Sequence, residues 1–291
     1  MEKLRRALEK AKQERVDEQG AIIEQGAITE QGASSRNETP SSGATEDTMG
    51  RLSPVYRHSR SHELDQQRLA DNHCLSTFSG SSEIESYKTL RTHVMQRTRA
   101  NGWNTIMITS ALPGEGKTLT AVNLALTFAK EFNHTVLLVD CDLRKQSVHK
   151  VLGIDSELGL IDALMDNSPL PELIVWPGVE KFTFISGNRT ISDASEVLNS
   201  IKMKTLVSEI KSRYPERYVF FDLPPVLSVT DAVAFSPLVD AILMVVQAET
   251  TSIQDIRKAA DLMPKEKFLG FVLNRYKAPA KAYPAYYEKA S

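Results

Sequence analysis

A strong charge of either sign is missing from this chain. Its 35 Lys and Arg face 37 Asp and Glu, for a formal net charge of −2. No bulk positive field exists to hold a phosphodiester backbone, so nucleic acid is not an expected partner. Cysteine is scarce too. Cys74 and Cys141 are the only two. They lie far apart and lack metal-ligand spacing, which argues against a disulfide framework and for a reducing cytosol. Long apolar runs are also lacking. A stretch such as "AILMVV" at 241–246 is far too short to cross a bilayer. The first residues are charged and carry no apolar segment, so no secretory signal is expected. Work at a membrane would require something else to bring the chain there.

What is present suits one globular domain with appendages. The chain has 291 residues and 41% of them are hydrophobic, enough for a real core. Residues 1–16, "MEKLRRALEKAKQERV", read as a basic amphipathic helix with Leu4, Leu8 and Ala11 on one face. It is either a solvated helix or a docking helix for a partner or membrane surface. The repeat "EQGAII EQGAIT EQGASS" follows at 18–35. Three short copies cannot close a β-helix core. Residues 17–81 are read as largely disordered linker. A helix is predicted over 82–98, with Ile84, Tyr87, Leu90, Val94 and Met95 at helical spacing. From 103 onward six strand-like runs alternate with amphipathic segments near 117–132, 158–166, 194–212, 230–237 and 252–262. Such alternation predicts an α/β fold, a mainly parallel twisted sheet with helices on both faces, over 82–275. Ligands then sit at the carboxyl ends of the strands. Residues 276–291 are read as a flexible tail.

Four motifs carry chemistry within this frame. "SALPGEGKT" at 110–118 joins a strand to a helix, the context a phosphate loop requires. It departs from G-x-x-x-x-G-K-[ST] in having Ala111 first. Gly114 and Gly116 let backbone amides face phosphates at a helix N-terminus. Lys117 is expected to reach the β and γ oxygens and Thr118 to hold Mg²⁺. The whole cradle is Pro113, Gly114, Glu115, Gly116, Lys117, Thr118 and Leu119. "TVLLVDCDLR" sets Asp140, Asp142 and Arg144 at alternate positions at the end of a buried strand, so all three are expected to project into one crevice suited to metal and phosphate work. "RYVFFDLPPV" ends a strand in Asp222, the position of an acidic residue that positions Mg²⁺. "GFVLNRY" places Asn274 after the last strand, where its amide suits a base edge. Each of these also has a plain reading as a turn or cap residue, and it is their order that makes coincidence improbable. The tail "RYKAPAKAYPAYYEKAS" crowds Tyr276, Tyr283, Tyr286 and Tyr287. They are either sticky docking groups or hydroxyls offered to an active site.

Over roughly 82–291 the chain resembles the bacterial tyrosine kinases of capsule and exopolysaccharide synthesis, which use phosphate-loop chemistry. "TSALPGEGKT", "LLVDCDLR", "FFDLPPV", "TDA" at 230–232 and the tyrosine cluster carry the likeness. The basic N-terminal helix and linker look like the subgroup in which the kinase is a separate chain. The resemblance implies ATP and Mg²⁺, with Lys117, Asp140, Asp142 and Asp222 catalytic and metal held by Thr118, Asp140 and Asp222. It implies Tyr283, Tyr286 and Tyr287 as phosphoacceptors. Glu85, Lys88 and Arg91 fall where the family has an E-x-x-R-x-x-R helix that packs on a neighbouring subunit in a ring-like oligomer. Lys88 keeps the charge of the middle position without the bidentate fork. A membrane chain-length determinant or polysaccharide co-polymerase is implied as activator, and a tyrosine phosphatase as antagonist. The expected location is cytoplasmic, at the inner membrane through that partner.

Two other functions share this motif order. A positioning ATPase of the partition or division-site type carries a second lysine early in the loop. Here that position is Leu112, which cannot stabilise phosphate charge, and a tyrosine-rich tail has no role there. A nucleotide-switched scaffold for a polysaccharide export machine would need nucleotide binding but not Asp142.

Overall fold

Six apolar runs become strands in the computed structural model, which describes residues 44–46, 52–54, 60–61, 64–74 and 82–277 except 155. All of these belong to the unit Ser42–Ser291. The expected helix over 1–16 and the tyrosines Tyr283, Tyr286 and Tyr287 lie outside the described residues. Strands β1 (Ala44–Glu46) and β2 (Leu52–Pro54) form an antiparallel pair. The main sheet holds β3 (Arg60–Ser61), β4 (Thr105–Ser110), β5 (Thr135–Asp140), β6 (Val175–Trp176), β7 (Phe182–Ile185), β8 (Arg217–Asp222), β9 (Ala241–Gln247) and β10 (Phe268–Asn274). Their order is β10-β9-β4-β8-β5-β7-β6-β3. Every neighbouring pair is parallel except β6 with β7.

The central strands are apolar along their whole length because both faces are covered. Successive side chains point to opposite faces. Tyr218 and Phe220 thus enter one core and Val219 and Phe221 the other. The first face is covered by α1 (Gln66–Asp71), α2 (Ser82–Asn101), α3 (Lys117–Ala129) and α4 (Val148–Leu152). The second is covered by α5 (Leu160–Asp166), α6 (Leu170–Leu173), α7 (Ala194–Leu198), α8 (Ile201–Arg213), α9 (Asp231–Phe235) and α10 (Ile253–Asp261). Phe128 of α3 sits edge-on to Tyr218 and Phe220, with ring centroids 4.9 and 5.0 Å away. Burying one such ring contributes about 2–3 kcal/mol. This contact seats the helix whose first turn carries Lys117 and Thr118.

Two expectations change. The helix predicted over 194–212 is two helices, because Ser200 takes an extended conformation and its hydroxyl accepts from the Met203 amide at 3.1 Å, starting α8 afresh. The linker reading of 17–81 does not hold for 64–74. Asp65 caps α1 by accepting from the amides of Gln67 and Arg68, Leu69 is buried, and Asn72 donates to the carbonyls of Lys150 and Val151 on α4. A six-residue helix with one large apolar side chain leaves almost no periodic signal. No helix among the described residues is long and apolar enough to cross a membrane.

Candidate active site

The register of the central strands brings the sequence motifs together. Asp222 of β8 lies opposite Asp140 of β5 on one side and Ile108 of β4 on the other. The phosphate loop, the 141–147 loop and the loop after β8 therefore leave the sheet side by side, at its carboxyl edge.

The phosphate loop is held by two side chains that reach across it. Glu115, itself buried, accepts from the Leu112 amide at 2.7 Å, the Gln247 amide at 3.3 Å and the Thr251 hydroxyl. Asn274 donates from Nδ2 to the Glu115 carbonyl at 2.8 Å. Gly116 lies beneath that amide with φ of +91°, and a Cβ there would meet Asn274 Nδ2 at 2.2 Å. Glycine is needed both for the left-handed conformation and for the close approach. Pro113 and Gly114 are exposed, while Leu119 is half-buried on the first turn of α3.

Lys117 and Thr118 turn inward. The Lys117 ammonium lies 2.7 Å from Asp142 Oδ2 and 3.5 Å from Asp222 Oδ1. The Thr118 hydroxyl donates to Asp222 Oδ2 at 2.6 Å. Burial works to lower the Lys117 pKa, but the carboxylates of Asp222 and Asp142 outweigh it and hold it above the ordinary value. Burial raises the Asp222 carboxyl, opposed by Lys117 and Thr118.

Asp140 has a different task. Its Oδ1 accepts from the Asp142 amide at 3.2 Å, and its Oδ2 from the amides of Ser147 and Val148 at 2.9 and 3.0 Å. It thus folds the 141–147 loop and caps α4. Burial, with the negative charge of Asp222 added, pushes this carboxyl up to about 7. Arg144, expected in one crevice with the aspartates, turns away from them. It forms a forked pair with Asp231, from Nε at 2.8 Å and Nη2 at 3.1 Å. Ser195 also donates to Asp231.

Mg²⁺ fits this donor set. Asp222 Oδ1 is buried without a hydrogen-bond partner, next to the Thr118 hydroxyl. Among the described residues no group of three or more His, Cys, Asp or Glu could hold a metal on its own. Mg²⁺ commonly takes one or two protein ligands and completes its shell with water and substrate phosphates.

Other expected residues are placed elsewhere. On α2, Glu85 pairs with Lys88 at 2.7 Å. Arg91 is engaged within its own chain, with Glu131 at 2.8 Å and the Thr127 carbonyl at 3.0 Å. Tyr276 is exposed two residues beyond Asn274. Sequence reasoning missed Glu115 as the pin of the phosphate loop and Asp231 as the partner of Arg144. The "TDA" motif was the available signal for Asp231, and nothing local gave its partner.

The comparisons agree with this geometry. The AAA domain family matches residues 103–265, which makes the chain a phosphate-loop nucleotide-binding protein. The tyrosine-protein kinase YwqD of Bacillus subtilis is 32% identical over 222 residues, covering 76% of this chain and 92% of YwqD. The crystal structure of the chimerical protein CapA2B2 superimposes with a TM-score of 0.65 at 27% identity, covering 78% of this chain and 96% of that one. The septum site-determining protein MinD of Pyrococcus horikoshii, solved with Mg-ADP, shares the fold at a TM-score of 0.51 and 24% identity, over 62% of this chain and 74% of MinD. The chain belongs to the bacterial tyrosine kinases.

Proposed function

We propose that this chain is an ATP-dependent tyrosine autokinase whose acceptors are Tyr283, Tyr286 and Tyr287 on the tail of a neighbouring copy. The observation that carries the reading is the Lys117 ammonium shared between Asp142 and Asp222 beside the phosphate loop. Phosphate oxygens at the loop compete for that ammonium. Once Lys117 turns to them, the Asp142 carboxylate is released to accept a proton. Thr118 and Asp222 would hold Mg²⁺, which would supply positive charge to offset that of the phosphates. Asp140 holds Asp142 in place through its amide. The acceptor oxygen, with a pKa near 10, gives its proton to Asp142 and bonds to the γ-phosphorus. The bond to the β,γ-bridging oxygen breaks and ADP leaves with the electron pair. Catalysis is mostly positioning and charge stabilisation.

Each phosphotyrosine adds roughly −1.5 to −2 charge. Crowded tails then repel and loosen a ring built through the α2 face of Glu85 and Lys88. Assembly and release would pace exopolysaccharide polymerisation and export, with a membrane co-polymerase as activator and a phosphatase resetting the cycle. Because Arg91 is largely buried against Glu131 while the Glu85–Lys88 pair stays exposed, the ring contact rests more on Glu85 and Lys88.

Mixing two copies tests this reading. A Lys117→Met chain incubated alone with ATP and Mg²⁺ should carry no tail phosphotyrosine by mass spectrometry, a loss of at least ~10³-fold. It should gain phosphate when mixed with the unmodified chain. ATP hydrolysis without phosphotyrosine in any mixture, with or without an activator fragment, would instead support a positioning ATPase. Leu112 argues against that alternative, since it packs on the core and offers no charge.

A further inference from the structure

The residues at alternate positions after β5 climb from the floor of the site to its rim. Asp140 is fully buried. The Asp142 side chain is 4% exposed against Lys117, and the Arg144 side chain is 37% exposed. Arg144 is an exposed charged group of the loop that bears the proton acceptor, turned toward Asp231. Its orientation is built. Asp231, at 0% exposure, grips Nε and Nη2. Ser195 bonds both Asp231 and the Thr230 hydroxyl. The carboxylates of Asp231, Glu196 and Asp142 keep the guanidinium above its ordinary pKa despite desolvation. Nη1 makes no hydrogen bond among the described residues. A fork held on its inner edge and open on its outer edge suits recognition of a carboxylate or phosphate.

We propose that Arg144 binds an anionic group on the acceptor segment, beside the tyrosine being modified, and that Asp231 is its positioning residue. This rests on the tail being the acceptor. The tail supplies both candidate anions, the carboxylate of Glu288 next to Tyr287 and the phosphate of a tyrosine already modified. Their shared chemistry is a planar or tetrahedral oxyanion that meets two guanidinium N–H groups. In the second case one transfer would favour the next on the same tail.

The test uses the full chain and synthetic peptides of residues 276–291. Arg144→Lys keeps the charge but loses the fork, and should raise KM for the peptide roughly 5- to 10-fold, with no matching rise in KM for ATP. Asp231→Asn should move peptide KM in the same direction. Two peptide changes need no change to the enzyme, so they stand if a variant folds poorly. One is Glu288→Gln and the other carries phosphate on Tyr287. At least one of them should alter KM on the unmodified enzyme and have no effect on Arg144→Ala. Unchanged peptide KM in both Arg144 variants, or no coupling of Arg144 to either anion, overturns the proposal. A random Glu/Tyr copolymer separates this from failure of the tail reading. If the enzyme modifies the copolymer but not the tail peptide, the tail reading falls. The Arg144 effect is then decided by the copolymer's KM alone.

Discussion

Two loops leave neighbouring parts of the same sheet edge, and each is pinned by a buried carboxylate used in an opposite way. In the phosphate loop, Glu115 ties the turn outward to the Gln247 amide and the Thr251 hydroxyl, with Asn274 closing over the backbone. The loop between β5 and α4 is folded from within, by Asp140 accepting from three amides two to eight residues later. The first loop borrows rigidity from distant strands, gives up its Leu112 amide to Glu115 and keeps the amides that follow for a ligand. The second spends its acidic residue on itself and so can project Asp142 and Arg144 in different directions.

Breaking the internal pin should have the largest effect. Asp140→Ala strands three amides, and each buried unsatisfied group costs about 1–3 kcal/mol. Relief of the repulsion between Asp140 and Asp222 offsets part of that. The expected net loss is about 2–4 kcal/mol in urea unfolding of the full chain. Glu115→Ala should cost less stability and show itself mainly as weaker nucleotide binding, because it loosens the cradle rather than unfolding a helix cap.

This contrast explains what could be read in advance. The phosphate loop is legible because glycines, lysine and threonine act over nine consecutive residues between a strand and a helix. The six main strands are legible because each is a short apolar run bounded by turn residues. Asp140, Asp142 and Asp222 were legible as residues, but their division of labour was not. Whether a carboxylate faces an ammonium or its own backbone depends on how the chain turns after the strand. Arg144 and Asp231 are 87 residues apart, and no periodic pattern links them. The short helix at 66–71 failed for another reason, since its helical state depends on packing against α4 rather than on its own pattern.

Gly116 sharpens the comparison at a single atom. Gly116→Ala places a Cβ against Asn274 and holds alanine at φ +91°. The left-handed conformation alone costs about 1–2 kcal/mol, and the clash adds to it. Binding of a fluorescent ATP analogue should weaken by ~30-fold or more. Adding Asn274→Ala should recover only the part due to the clash, leaving the conformational strain. Full recovery would mean that the loop does not need the left-handed turn.

The smallest expected effect lies at the opposite end of the strands, where no ligand is expected. His134 precedes β5 with its ring edge-on to Tyr218. Arg99 can only donate, so its contact at 2.9 Å makes His134 Nε2 an acceptor. Nδ1–H then donates to the Glu216 carbonyl at 3.1 Å, which fixes a neutral ring. Burial lowers its pKa below 6.5, and the nearby Arg99 charge adds to that. The unfolded chain therefore takes up the proton first as pH falls through 6.5. Stability from this group is intact above that pH and declines below it, until the folded pKa is passed. Between pH 7.5 and 5.5 the urea midpoint of the full chain should fall relative to that of His134→Gln, which keeps a donor and an acceptor but does not titrate in this range. An identical slope in both chains would sink this reading of His134, and the raised carboxyls of Asp140 and Asp222 could not supply the loss, because they take up protons in the folded chain first and add stability as pH falls.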